Sequence, residues 1–360
     1  MVNVASDRMK HARQAKAGIV ARTTSRAALL AACLGAALWL ALPLPATAQA
    51  SRPAAPSANP GDPIVEAREA LRRRDRVRMV SLLETVRASG HPLTSWVDYW
   101  ELSLRLKDAT VSDLQAFYAR WPGTYVEDRL RNDWLLELGR RRDWAAFSAD
   151  FPRFRMNDDR EVTCYALLTD HLAGRDVKDA ALAAWLAQRE ADDGCLLLAR
   201  TLVEARRFGS EEVWRKVRFA VDSSRPRAAR AAAGLLSPGL DATVAEIYEQ
   251  PMRWLQRRSA TEGRIADELA TIALMRQATV DHTAGVRQLE EFWDAQLPDD
   301  LRAWAWAMNA KWAAIRLQDD ASDHFARAAR HTRRAGLELD WPDDTLAWNC
   351  LLYTSDAADE

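Results

Sequence analysis

Apolar side chains recur along this chain at three- and four-residue intervals, interrupted by polar punctuation of about two to five residues. No strand-like alternation and no Gly-rich crossover replaces that rhythm. The pattern predicts short amphipathic helices at 63–73, 75–88, 94–107, 111–120, 124–141 and 143–150. Further helices follow at about 158–172, 176–190, 193–207, 210–222, 225–236, 241–249, 260–277, 280–295, 299–316 and 319–334, and another is expected from Asp343. In the 124–141 helix, Leu130, Trp134, Leu135 and Leu138 fall at i, i+4, i+5 and i+8, one stripe for burial. Arg129, Arg131 and Glu137 lie largely off that stripe and are expected to be wet.

The spacing is that of helical hairpins, and a repeat supports it. Arg72-Arg73-Arg74-Asp75 returns as Arg140-Arg141-Arg142-Asp143, 68 residues later, twice the 34-residue unit of tetratricopeptide-like arrays. Pro298-Asp299-Asp300-Leu301-Arg302-Ala303-Trp304 is echoed by Pro342-Asp343-Asp344-Thr345-Leu346-Ala347-Trp348 after 44 residues. Such an irregular period predicts an all-α, tetratricopeptide-like solenoid that buries a continuous core between neighbouring hairpins and leaves a concave face.

The ends read differently. Arg8, Lys10, Arg13, Lys16, Arg22 and Arg26 precede an apolar run from Ala27 to Leu42, and Ala46-Thr47-Ala48 supplies small residues at cleavage spacing. Residues 1–48 are therefore expected to be a secretory signal cut between Ala48 and Gln49. Two rivals weaken on inspection. A retained anchor would be alanine-rich with two prolines near its end, and lipidation at Cys33 would leave only six apolar residues ahead of the modified cysteine. Residues 49–62 form a Pro, Ala and Ser tether, and order is expected from Pro63, a favourable first helical residue. Cys350 to Glu360 (CLLYTSDAADE) resembles a translated transposon adaptor, so the superhelical domain is expected to span 63–349 and 350–360 to be an artefact tail.

Charge excludes one large class of partner. The 360 residues carry 50 basic and 51 acidic groups, and residues 1–48 hold six of the bases and one acid, leaving 44 against 50. A mildly acidic remainder lacks the basic footprint that nucleic acid requires. After signal cleavage no membrane segment is expected either.

Chemistry is sparse. Glu127-Asp128, Asp158-Asp159, Asp192-Asp193, Asp299-Asp300, Asp319-Asp320 and Asp343-Asp344 nearly all fall at predicted helix starts, where carboxylates cap and oppose the helix dipole; Asp158 with Glu161 has capping-box spacing. Six histidines include no His-Glu-x-x-His pair, and His324 and His331, seven apart, lack partners at zinc spacing. There is no phosphate loop and no nucleophile elbow. No catalytic residue, metal site or cofactor is therefore assigned.

One segment carries a family likeness. Pro92 to Leu168, with SWVDYWELSL, FYARWPGTYVEDRLRNDWLLELGRRRDW and FPRFRMNDDREVTCYALL, resembles the N-terminal superhelical domain of the soluble lytic murein transglycosylases, and a weaker likeness runs from about Pro63 to Asn349. The resemblance implies a ring or U-shaped superhelix, a periplasmic location, and a parent enzyme that cuts peptidoglycan glycan strands to 1,6-anhydro ends. The family's catalytic signature, a Glu-Ser pair opening a segment that closes on a Gly-Leu-Met-Gln-like run, is not found here, so the chain as given is expected to guide substrate or bind other cell-wall enzymes rather than cut. A non-enzymatic periplasmic tetratricopeptide-like scaffold is the alternative.

Three sets of residues are singled out on that reading. Once Cys33 leaves with the signal and Cys350 is set aside, Cys164 and Cys195 remain; the resembled family has a similarly spaced disulfide, an oxidising periplasm would let the pair form, and two buried free thiols are the alternative. Among the fifteen tryptophans, most sit on apolar stripes as core filler. Trp304 and Trp306, two apart, are expected not to share one buried face, making one of them a candidate glycan platform. Arg140, Arg141 and Arg142 are candidate contacts to the carboxylates of peptide stems, against the alternative of a solvated helix end.

Overall fold

A computed structural model describes residues 61–257 and 263–336, and every regular element among them is helical. The expected signal and its Ala48–Gln49 cut, nearly all of the 49–62 tether, the second copy of the Pro298 echo and the 350–360 tail lie outside the described residues.

The helices begin where short polar side chains cap them. Asp62 accepts from the Ile64 N–H at 2.8 Å and opens α1 (Pro63–Arg73) with Pro63 in its first turn. Asp75 accepts from Arg78 N–H at 2.9 Å for α2 (Arg76–Ala88). After α3 (Thr94–Leu104), Thr110 and Asp113 form a reciprocal capping box at α4 (Val111–Arg120). Thr124 caps α5 (Tyr125–Arg141), Asp143 caps α6 (Trp144–Asp150) and Asp159 caps α7 (Arg160–Leu172). The capping residue of α7 is thus Asp159, one position later than the expected Asp158. Beyond α8 (Lys178–Ala187), Asp192 caps α9 (Asp193–Glu204).

Helix ends repeat as well. Arg74 and Arg142 both adopt left-handed φ, 55° and 61°, and the following Asp donates its N–H back to Ala70 and Leu138 carbonyls before capping the next helix. The duplicated Arg-Arg-Arg-Asp therefore encodes one turn used twice. The same left-handed exit recurs at Arg142, Gly174 and Arg206, each 32 residues from the last. Since α5 packs on α7 and α7 on α9, this is the local period of the solenoid.

Farther on the stacking is less regular. Helices α10 (Ser210–Asp222), α11 (Pro226–Ala233), α12 (Leu240–Glu249) and α13 (Pro251–Gln256) lead to α14 (Arg264–Val280), which packs back against α10. α15 (His282–Gln288) runs through a π-helical turn at Leu289–Trp293 into Asp294–Gln296. α16 (Asp299–Ile315) then lies on α14, and α17 (Ala321–Ala335) lies on α16. Lys311 of α16 reaches Asp222 at the end of α10, 2.6 Å away, tying the two stretches together.

Among the described residues the core falls into separate clusters, the two largest bridged by the half-buried Trp144 and Leu197, and it is rich in tryptophan. Trp134, Trp185, Trp214, Trp304 and Trp306 are buried, which fits the core-filling role. Two of the side chains expected to be wet are not. Arg131 is 2% exposed and Glu137 7%, because α5 is flanked by α3, α6 and α7. Both charges are paired: Arg131 with Glu127 and Asp150 and over the Tyr118 ring, Glu137 with Arg140 and Arg141.

Candidate functional site

The expected aromatic platform is absent at its predicted place. Trp304 and Trp306 are 2% and 1% exposed. Two residues subtend about 200° on a helix, and α16 has neighbours on both sides. Trp304 meets Phe219 of α10 edge-on at 5.4 Å, whereas Trp306 packs on His324 of α17 and donates its indole N–H to Asp294 at 2.6 Å. Neither ring is available to stack on a sugar.

The arginine triplet is engaged by the protein itself. Arg140 and Arg141 both bind Glu137 at 2.8 Å, and Arg141 also donates to the Leu106 and Lys107 carbonyls. Arg142 grips Asp193 with two nitrogens at 2.6 and 2.9 Å, and that contact holds the Asp193 carboxyl below its usual range. Tyr165 donates its hydroxyl to the same carboxylate at 2.6 Å. The triplet closes the α5 end and links it to α9, more engaged than the solvated helix end weighed against a stem contact.

Cys164 on α7 and Cys195 on α9 are joined in a disulfide, with Cα atoms 4.9 Å apart. Both are buried, and Cys195 sits in the first turn of α9, its N–H donated to the capping Asp192 at 2.7 Å. Beside them lies Lys216 of α10, 4% exposed, donating to the Trp185 and Gln188 carbonyls; burial pushes its pKa down to about 8. Burial likewise raises the Asp192 carboxyl above its usual range.

Above this cluster opens a groove of about 710 Å³ between α9 and the α11–α12 pair. Leu196, Arg200, Val203 and Glu204 line it from one side, at i, i+4, i+7 and i+8 of α9. Arg227, Arg230 and Ala231, at i, i+3 and i+4 of α11, face them, with Leu235 and Asp241 beyond. Leu196 and Ala231 also line the water-sized pocket beside Lys216 and Cys195, so the groove floor adjoins that cluster. The groove escaped sequence reasoning because Arg200 is 27 residues from Arg227; the one local signal is the pair of arginines on a single face of an otherwise alanine-rich helix.

Among the described residues no group of three or more His, Cys, Asp or Glu side chains could hold a metal ion, and no helix is long and apolar enough to cross a membrane. His324 and His331 share a face of α17, but His324 packs under Trp306, and His331 lies 2.8 Å from Asp299.

No family model matches the chain, and no curated protein matches it. Among solved structures it is similar to an inactive mutant of the lytic transglycosylase Slt from Pseudomonas aeruginosa, at 19% identity and a TM-score of 0.49, over 79% of this chain and 48% of that one. It is similar also to the 70-kDa soluble lytic transglycosylase from Escherichia coli, at 16% identity and a TM-score of 0.49, over 74% of this chain and 44% of that one. A structure of the 70-kDa enzyme in complex with bulgecin A gives the same values. The chain spans less than half the length of each.

Proposed function

We propose that this chain is the N-terminal α-superhelical region of a periplasmic peptidoglycan lytic transglycosylase, and that it guides glycan strands or contacts other cell-wall enzymes rather than cutting the glycan itself. The single observation that carries the reading is the Cys164–Cys195 disulfide, which ties α7 to α9 at the C-terminal end of the Pro92–Leu168 segment whose residues resemble that family. A buried cross-link of this kind suits an oxidising compartment. It accords with residues 1–48 acting as a secretory signal cut between Ala48 and Gln49, and residues 49–62 as a tether. The helical array from Pro63 supplies the stacked hairpins that a guiding surface needs.

On this reading residues 350–360 are not protein-derived and the catalytic acid belongs to sequence that would follow residue 349. Long-read sequencing of the source locus across codon 349 tests this. A frame that continues into a domain with a Glu-Ser catalytic signature supports the parent enzyme. A frame that stops at or near Glu360 contradicts it and favours the non-enzymatic scaffold.

A further inference from the structure

Most arginines of this fold are engaged by the protein. Arg131, Arg142, Arg218 and Arg264 each hold carboxylates, and Arg316 caps the carbonyls that end α14. Arg200, Arg227 and Arg230 differ. They are exposed, they face one groove from two helices, and none has a hydrogen-bond or ion-pair partner among the described residues. Glu204 lies one turn from Arg200, within reach of an i,i+4 pair, yet the two do not bond.

We propose that the groove between α9 and the α11–α12 pair binds a short peptide carrying at least two carboxylates and an amino group. Guanidinium forks favour carboxylates bound in bidentate fashion. Leu196, Val203, Ala231 and Leu235 give the groove an apolar floor that suits aliphatic side chains rather than a polyphosphate. Glu204 and Asp241 supply acceptors for an ammonium or amide N–H and would repel a polyanion. Its volume, about 710 Å³, lies within the range of small-ligand sites.

Two sources share this chemistry: the stem peptide of the cell wall, whose assignment rests on the function proposed above, and an ordinary acidic peptide, whose assignment does not. Calorimetric titration of the full chain separates them, using the stem tripeptide L-alanyl-γ-D-glutamyl-meso-diaminopimelate, its carboxyl-amidated form, and the L-peptide alanyl-glutamyl-lysine. The stem tripeptide is expected to bind and the amidated form not to. Replacing Arg200, Arg227 and Arg230 by Gln is expected to weaken binding by about tenfold per guanidinium. Because these side chains have no partners among the described residues, the thermal midpoint should stay that of the parent. Equal binding of the L-peptide keeps the groove chemistry and removes the wall as its specific source. Binding of the amidated form as tight as that of the acid, affinity unchanged in the triple variant, or no binding of either acidic peptide overturns the inference. Pelleting with purified murein sacculi keeps the two readings apart: a parent that pellets but binds neither acidic peptide leaves the proposed function standing while the groove fails, whereas a parent that binds the L-peptide but does not pellet keeps the groove and counts against glycan guidance.

Discussion

Gly139 sits inside α5 where that helix crosses α7, and replacing it with alanine sets two effects against each other. Helix propensity alone favours Ala over Gly by about 1 kcal/mol. The added Cβ, however, would lie 2.3 Å from Tyr165 Cε2 and 2.4 Å from Cδ2, where carbon atoms normally rest about 3.5–4.0 Å apart. The ring must therefore retreat by about 1 Å. It has nowhere to go. Tyr165 is fully buried, flanked by Trp144 and Phe147, and its hydroxyl is anchored on Asp193, which Arg142 holds in turn. Overpacking of this kind costs about 1–3 kcal/mol, and a ring fixed on several sides belongs at the upper end, so Gly139→Ala should lose about 1–2 kcal/mol net. Urea denaturation followed by far-ultraviolet circular dichroism measures it. In a Tyr165→Leu background, where the ring is gone, the same substitution should become neutral or stabilising. A Gly139→Ala variant more stable than the parent would show that α5 and α7 do not approach as closely as described.

Three further outcomes are expected. Replacing Cys164 and Cys195 together by Ala should cost roughly 3–4 kcal/mol, the chain-entropy value for a cross-link separated by 31 residues, and peptide mapping should recover the two cysteines as one linked pair until reductant is added; two free thiols would contradict the pairing. Lys216 has a folded pKa of about 8 against 10.5 for the free side chain, so between those values the unfolded chain holds the extra proton. Stability should then rise from pH 8 toward 10 by at most about 1.4 kcal/mol per pH unit, and Lys216→Met should lose that slope; an unchanged slope refutes the assignment. Arg74 adopts left-handed φ with an exposed side chain that has no partner among the described residues, so Arg74→Gly should stabilise by about 1 kcal/mol, whereas Arg142→Gly, which gives up the grip on Asp193, should gain less; equal gains in urea midpoint would show that the Arg142–Asp193 contact contributes nothing.

What could be read from the sequence was local. Asp75, Thr110, Thr124, Asp143 and Asp192 mark helix starts because a capping side chain acts within three residues of itself. The Arg-Asp turn could be read as a repeat because it occurs twice, whereas its left-handed backbone is added by the fold. Where several residues compete for one boundary the sequence misleads: Asp281 both follows α14 and caps α15, so the helix expected from 280 begins at His282, and Pro251 opens a short helix between the expected 241–249 and 260–277 helices. The 176–190 helix shortens to Lys178–Ala187 for a different reason, its last residues turning to bring Asp192 under α9.

Burial on two faces was beyond the sequence. Trp304 and Trp306 become core only because α10 covers the first ring and α17 the second, and Arg131 goes inside only because Asp150 and Glu127 meet it there. The groove depends on helices that the chain brings together although Arg200 and Arg227 lie 27 positions apart, and no spacing rule joins them. Cys164 and Cys195 were identifiable as the two cysteines left over, and the fold adds that α7 and α9 are neighbours.

The most direct measurement of the account is co-sedimentation of the purified full chain with murein sacculi across a range of protein concentrations. A wall-guiding region predicts saturable pelleting that depends on the sacculi. A chain that stays in the supernatant at every concentration, with and without sacculi, would contradict it.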